Sequence, residues 1–337
     1  MDSLFGDLET PSLPWKEALR LASRIIPKRT TFPMLQSVQF VVSEDSVVVR
    51  ATDRDRAFHA TVDLGPNRPK AFRTPGRYLA PLDKIKAGYA LDQIIAPDLG
   101  DYPALPDPGA NALPCPWIRD LQVCGKVMAD DNTRLALNGV VIQSDGLTAT
   151  DGHRLIHKEH EIKVPGGIIV SRGLVELLGA VKEAPEALAL SDDGYRLHAV
   201  FPWGWVFGKV VEGPYPNWKQ VVPRATSWTV RMPMSEIRDI LSKVPRGDRM
   251  QVEIIPSGDV FQVQFSTAFA DTCNLGPVVV EGDMDRIAVN TEYLREMVSV
   301  LPGAWFVWKG NTMAQATVFG EGPDIYILMP LRFPENG

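Results

Sequence analysis

A chain of 337 residues with 45% apolar and 23% charged side chains has two or three domains' length and material for real cores, which excludes a disordered protein. Thirty-five Lys and Arg stand against 41 Asp and Glu, a formal net charge of −6; this excludes gripping nucleic acid by bulk charge but not by a locally basic surface. The three scattered cysteines, Cys115, Cys124 and Cys273, argue against a disulfide framework and for a reducing cytoplasmic setting, and no apolar run reaches the ~18 residues that span a bilayer.

In chain order, the acidic opening MDSLFGDLETPS has no signal-like apolar stretch. The first predicted helix is LPWKEALRLASRII (13–26), with Leu19, Ala22, Ile25 and Ile26 on one face and Lys16, Arg20 and Arg24 on another. Strand-like SVQFVV and SVVVRAT follow, then ATDRDR (51–56), a helical pattern in GRYLAPLDKI (76–85) and a strand-like ALDQIIA (90–96). A Pro-rich linker, DYPALPDPGANALPCP (101–116), leads into a second helix, LPCPWIRDLQVCGKVM (113–128). Beyond it come NGVVIQ, GLTAT, ATDGHR (149–154), a helix in SRGLVELLGAV (171–181), and the strands YRLHAVF and WVFGKVV. GPYPNW (213–218) and the linker VVPRATS (221–227) precede the helix MPMSEIRDILSKV (232–244) and the strands MQVEII and VFQVQF. The chain closes with a helix in NTEYLREMVSVL (290–301) and the strands ATVF and IYILMP.

This order is a repeat. ATDRDR is echoed by ATDGHR, GDYPAL (100–105) by GPYPNW, and the pattern helix, strands, helix, strands recurs three times. The predicted fold is therefore α+β: three similar domains of two helices plus antiparallel sheets, at 13–112, 113–224 and 225–337, behind an N-terminal extension of 1–12. Lys or Arg falls on all six predicted helices: Lys16, Arg20, Arg24, Lys84, Lys86, Arg119, Lys126, Arg172, Lys182, Arg238, Lys243 and Arg295. Acids gather in turns, as in Asp130-Asp131, Asp192-Asp193 and Glu281-Gly282-Asp283. If the helices share one side, that side is a basic surface on an acidic protein.

The blocks KRTTFPMLQSV (28–38), TRLALNG (133–139), ATDGHRL (149–155), YPNWKQVVP (215–223), VNTEYLREMV (289–298) and YILMPLRF (326–333) lie in order along almost the whole chain. With them the chain resembles the bacterial DNA polymerase III β subunit, the replicative sliding clamp. The resemblance implies the DNA clamp fold. In it two three-domain subunits close head to tail into a six-domain ring, helices lining the hole and sheets forming the wall. It further implies a non-catalytic processivity factor without cofactor or metal, which encircles duplex DNA irrespective of sequence. Such a homodimer tethers the replicative polymerase and the clamp loader through Leu-Phe peptide motifs.

By the same resemblance, Arg29 matches a DNA-contacting arginine, with Arg20 and Arg24 as further DNA candidates. The peptide groove maps onto Leu137, Thr150, Gly152, His153, Arg154, Leu155, Pro216, Val221, Asn290, Tyr293, Met313, Ile327, Met329, Pro330, Leu331 and Arg332. The residue types suit peptide binding. Leu137, Leu155, Val221, Met329 and Pro330 make an apolar pocket, Gly152 admits close backbone approach, and Met adapts to varied partners.

Three departures stand out. Only three residues separate Lys86 from ALDQIIA, where the family has room for two more strands, and ALDQIIA corresponds to the edge strand that pairs with the partner subunit. The chain continues through Phe333 to Pro-Glu-Asn-Gly, past the family's usual ending. Met1-Asp2-Ser3-Leu4-Phe5 carries the Ser-Leu-Phe pattern of clamp-binding peptides and could occupy the groove of its own or a neighbouring molecule. The alternative to a working clamp is a divergent clamp-like scaffold or decoy that binds client peptides without a closed ring. An enzyme is the rival class, but the chain has no GxxxxGK[ST], GxGxxG or GxSxG motif. His153, His157 and His160 have zinc-ligand spacing only on a helix; after ATDG they read as turn and strand, with His160 pointing away from the other two.

Overall fold

The computed structural model describes residues 11–64, 69–100, 102–131, 133–164, 166–243, 251–257, 260–265, 272–274, 279–284, 287–312 and 314–331. Its contacts divide the chain into two compact units, Met1–Gln122 with Val170–Glu212, and Val123–Ile169 with Gly213–Gly337. Each unit thus combines one end of the chain with half of its middle third.

The seven helices among the described residues are α1 (Trp15–Ile25), α2 (Leu82–Lys86), α3 (Leu91–Ile94), α4 (Ile118–Cys124), α5 (Arg172–Ala180), α6 (Met234–Lys243) and α7 (Thr291–Val300). In α1 the buried stripe is Ala18, Leu21, Ala22 and Ile25, at the i, i+3, i+4, i+7 spacing of a one-sided helix. That stripe is rotated from the expected one, with Leu19 and Ile26 only half-buried; Lys16 and Arg24 are exposed as their spacing predicts. None of these helices is long and apolar enough to cross a membrane.

In the first unit the strands run in spatial order 96–97, 76–81, 37–42, 47–52, 56–63, 204–211, 196–201, 187–190 and 112–113, every neighbour antiparallel. The join between chain segments is the pairing of 56–63 with 204–211, in register from Arg56↔Gly208 to Ala60↔Gly204. Phe40, Phe58, Phe72 and Phe207 are fully buried in this unit.

The second unit repeats the scheme. Its strands run 139–143, 146–150, 154–159, 325–328, 317–319, 305–310, 228–233 and 279–282, again antiparallel. Here 154–159 pairs with 325–328, from Arg154↔Leu328 to His157↔Ile325. A separate sheet orders 272–274, 260–265, 251–257 and 287–290.

Two expectations are corrected. GRYLAPLDKI is a strand at Gly76–Pro81 followed by the five-residue α2, because Tyr78 and Ala80 pair across to Phe40 and Val38 and Pro81 can only stand ahead of a helix. ALDQIIA forms the short α3, and the edge strand is reduced to two residues, Ala96–Pro97, since Pro97 ends any further ladder. The Pro-rich linker is docked as well: Tyr102 is buried, Leu105 packs on Ala57, Trp205 and Phe207, and the Pro106 carbonyl meets His198 Nε2 at 3.1 Å.

Gly204 sits where the two segments of the first unit meet. Its φ is +146°, and a Cβ there would lie 2.1 Å from the His59 carbonyl oxygen and 3.0 Å from Ala60 Cα. Both atoms are backbone of the paired strand and cannot step aside. Gly204→Ala is therefore expected to cost about 1–3 kcal/mol, read as a lower urea midpoint followed by tryptophan fluorescence, with Trp203 and Trp205 as adjacent reporters.

Candidate functional site

The site begins with a turn. In ATDGHR, Thr150 Oγ1 donates to the Arg154 carbonyl at 2.7 Å and accepts from the Gly152 N–H at 3.0 Å. Asp151 Oδ1 accepts the N–H groups of His153 and Arg154 at 2.9 and 3.0 Å, and its Oδ2 accepts Arg154 Nε at 2.9 Å. Gly152 takes φ +91°, a conformation without steric cost for glycine alone. ATDRDR forms the same network bond for bond: Thr52 Oγ1 donates to the Arg56 carbonyl at 2.8 Å, and Asp53 accepts the N–H groups of Asp55 and Arg56 at 3.0 and 2.7 Å and Arg56 Nε at 3.0 Å. At the position of Gly152 stands Arg54, at φ +81°, its guanidinium 4.6 Å from the centre of the Phe32 ring.

Arg154 is the hub of the second copy. Buried at 8% exposure, it pairs with Asp151 and with Glu296 of α7, and its guanidinium lies 4.4 Å over the Tyr293 ring. Two carboxylates and an aromatic face compensate the desolvated cation. Asn290 caps α7 by accepting the Tyr293 N–H at 3.1 Å, and His153 stacks on Tyr293 with ring centres 5.9 Å apart. Burial is the first reason the Tyr293 hydroxyl is pushed above its ordinary pKa.

Beside this hub is a cavity of about 170 Å³, lined by Leu137, Thr150, Gly152, His153, Arg154, Leu155, Pro216, Asn217, Trp218, Val221, Ile327 and Met329. Its floor is Leu155, Trp218 and Ile327, which form one core cluster with Met329 packed against it. Its rim is Val221, 50% exposed. The strands 154–159 and 325–328 carry the floor, and a 3-10 turn at Trp218–Val221 carries the rim. The Met329 N–H donates to the His153 carbonyl at 2.8 Å and fixes the two edges together. Such a hole accepts apolar side chains, and its polar edge can hold a backbone.

No protein-family model matches the chain. The Beta sliding clamp of Pseudomonas aeruginosa is 22% identical over 358 residues, covering 93% of this chain and 96% of that one. The Beta sliding clamp of Synechococcus elongatus is 25% identical over 363 residues, covering 94% and 96%. The crystal structure of the DNA polymerase sliding clamp from Bacillus subtilis has a TM-score of 0.78 at 15% identity, covering 94% of this chain and 97% of that one. In sequence and in fold the chain is thus similar to bacterial sliding clamps along nearly its whole length.

Ten of the sixteen groove positions expected from the family resemblance line the cavity. Asn290 and Tyr293 stand at its His153 side, and Leu331 continues past Met329, its N–H donating to the Ala288 carbonyl at 2.8 Å. Pro330, half-buried, lies between them. Met313, Arg332 and the Ser3-Leu4-Phe5 tail fall outside the described residues. Sequence reasoning missed Asn217 and Trp218 as lining residues. Trp218 had a signal, since a tryptophan set between Asn217 and Lys219 in a Pro-bounded stretch has to find a burial site. Its ring stacks on His157 at 4.3 Å and its Nε1 donates to Gln143 Oε1 at 3.3 Å. His157 is buried in the strand, and among the described residues no group of three or more His, Cys, Asp or Glu is placed to hold a metal ion.

The DNA candidates lie in the first unit. Arg24 and Arg29 are exposed, whereas Arg20 is held by Glu17, its Nε 2.8 Å from Oε2, and also donates to the Ala180 carbonyl. Helix acids likewise engage Arg172, Lys243 and Arg295, through Glu176, Asp239 and Glu292. Among the described residues no ion pair engages Lys16, Arg24, Lys84, Lys86, Arg119, Lys126, Lys182 or Arg238, and all eight are exposed. A cavity of about 760 Å³ beside the end of α1 is lined by Ser23, Lys28, Gln36, Lys84 and Lys86, with Asp83 its one acid.

His157, stacked on the cavity's Trp218, makes stability depend on pH. Burial is the main cause that holds its imidazole below the usual pKa, and the neutral ring is hydrogen-bonded to Thr148 Oγ1 at 2.9 Å. The unfolded chain binds that proton more readily, so the contribution is complete above ~6.5 and erodes as pH falls below it. The urea midpoint of the wild type is expected to fall between pH 7.5 and 5.5, and to fall less steeply in His157→Gln.

Proposed function

We propose that the chain is a sliding clamp, which encircles duplex DNA and holds client proteins through the cavity around Leu155, Trp218 and Met329. The observation that carries this reading is the cavity itself. Three stretches far apart in sequence, ATDGHRL, YPNWKQV and YILM, converge on one apolar hole within a chain related to sliding clamps along nearly its whole length. Three domains at 13–112, 113–224 and 225–337, doubled in a head-to-tail homodimer, supply the ring. Exposed bases, with Arg24 and Arg29 foremost, face the phosphates.

The physics of such a ring separates grip from affinity. Lysines and arginines give non-specific DNA affinities of only roughly 10⁻⁴–10⁻⁶ M, which lets the protein move along the duplex. A closed ring stays on regardless, because leaving requires an end. Client peptides are held by two apolar anchors at ~1.5–3 kcal/mol each before ordering costs, so micromolar dissociation constants suit a platform whose clients exchange. Nothing in this activity calls for a catalytic group, a metal or a cofactor.

The decisive experiment is retention on nicked circular DNA, followed by linearisation. A dimer in solution that survives gel filtration on the circle and is lost after the cut is expected; a monomer that still binds Leu-Phe peptides would instead make the chain a scaffold. Val221→Asp places a carboxylate on the half-exposed rim without touching the buried floor. It is expected to weaken a Leu-Phe peptide about tenfold, ~1.4 kcal/mol, by fluorescence anisotropy, with the urea midpoint unchanged.

A further inference from the structure

The peptide cavity does not end at Val221 and Met329. On their far side the same two residues form a wall of a second hollow, about 520 Å³, also lined by Gln220, Val222, Pro223, Arg224, Ala225, Asn311, Gln315 and Ala316. The two linings differ in charge. In the first, Arg154 is already matched by Asp151 and Glu296. In the second, Arg224 is the one charged side chain, it is exposed, and no carboxylate pairs with it among the described residues. The remaining polar groups there include the side-chain amides of Gln220 and Gln315, both exposed. Asn311 is spent on the fold, its Nδ2 donating to the Ala225 carbonyl at 2.6 Å and its carbonyl accepting Trp228 Nε1 at 3.1 Å. The hollow therefore offers a fixed floor, two amides and an unmatched cation.

We propose that this second hollow is a specificity subsite for a carboxylate: an acidic residue, or the free C-terminus, flanking the apolar anchors of a bound client peptide, read by Arg224. The inference rests on the groove being a peptide site. Continuity through the shared Val221–Met329 wall determines the occupant, because a chain seated in the first cavity must cross that wall to continue on this side. An acidic flank also matches the charge of Arg224, which no carboxylate among the described residues compensates. The contact is exposed, so it tunes choice among clients and does not hold them alone.

The test uses the full chain and four fluorescent peptides with one Leu-Phe pair: neutral flanks with an amidated end, an Asp before the pair, an Asp after it, and a free C-terminus. At low salt the peptide whose carboxylate reaches the hollow is expected to bind wild type about threefold tighter than the neutral one, the size of an exposed ion pair. That gain is expected to vanish in Arg224→Gln, to reverse in Arg224→Glu, and to shrink as salt screens the pair. Equal binding of all four peptides to the wild type, or a gain that persists in Arg224→Gln, overturns the subsite while leaving the groove in place. Failure of every peptide to bind overturns the groove, and the subsite with it.

Discussion

The groove depends on a single buried ion pair, Arg154 with Asp151. Asp151 uses one oxygen to close the turn and the other to hold Arg154, and Arg154 then reaches Glu296 and Tyr293 on α7. Strand 154–159, the turn that precedes it and the helix beyond are thereby referred to one guanidinium, only 8% exposed. Removing either partner would strand a charge in a poorly solvated place, a loss of about 3–5 kcal/mol. The apolar floor can stay rigid while the rim around Val221 remains open.

The two copies of the turn carry different side chains on one frame. Both turns make the same hydrogen bonds, and both are followed by a strand that pairs with a segment from elsewhere in the chain. The Lys209 N–H meets the Asp55 carbonyl at 2.9 Å as the Met329 N–H meets that of His153 at 2.8 Å. What differs is the side chains on that shared frame. Asp55 and Lys209 close their position with an ion pair of 2.5 Å, whereas His153 and Met329 leave theirs apolar and unsealed.

Much of this was legible in the sequence for physical reasons. Helices α1, α5, α6 and α7 announce themselves by apolar periodicity, and the echo of ATDRDR in ATDGHR is a true structural repeat because its Thr and Asp side chains bond the local backbone in both copies. GRYLAPLDKI misled because its apolar spacing fits a helix while its strand character comes from pairing with Ser37–Val42, a contact no local pattern contains. The core face of α1 was rotated because Leu19 and Ile26 are apolar yet only half-buried. Ten of the cavity's lining positions were named through the family resemblance; Trp218 was not, since its place there depends on the stack on His157.

The strapped-down connector around Tyr102, Leu105 and Pro106 shows that the stretch of chain that recurs and the stretch that folds have different borders. A fragment severed after residue 112 would surrender the 204–211 neighbour of strand 56–63 and expose a bare, sticky sheet margin. Whoever dissects this molecule into autonomous pieces should cut along its hydrogen-bonded seams, leaving the sequence periodicity aside.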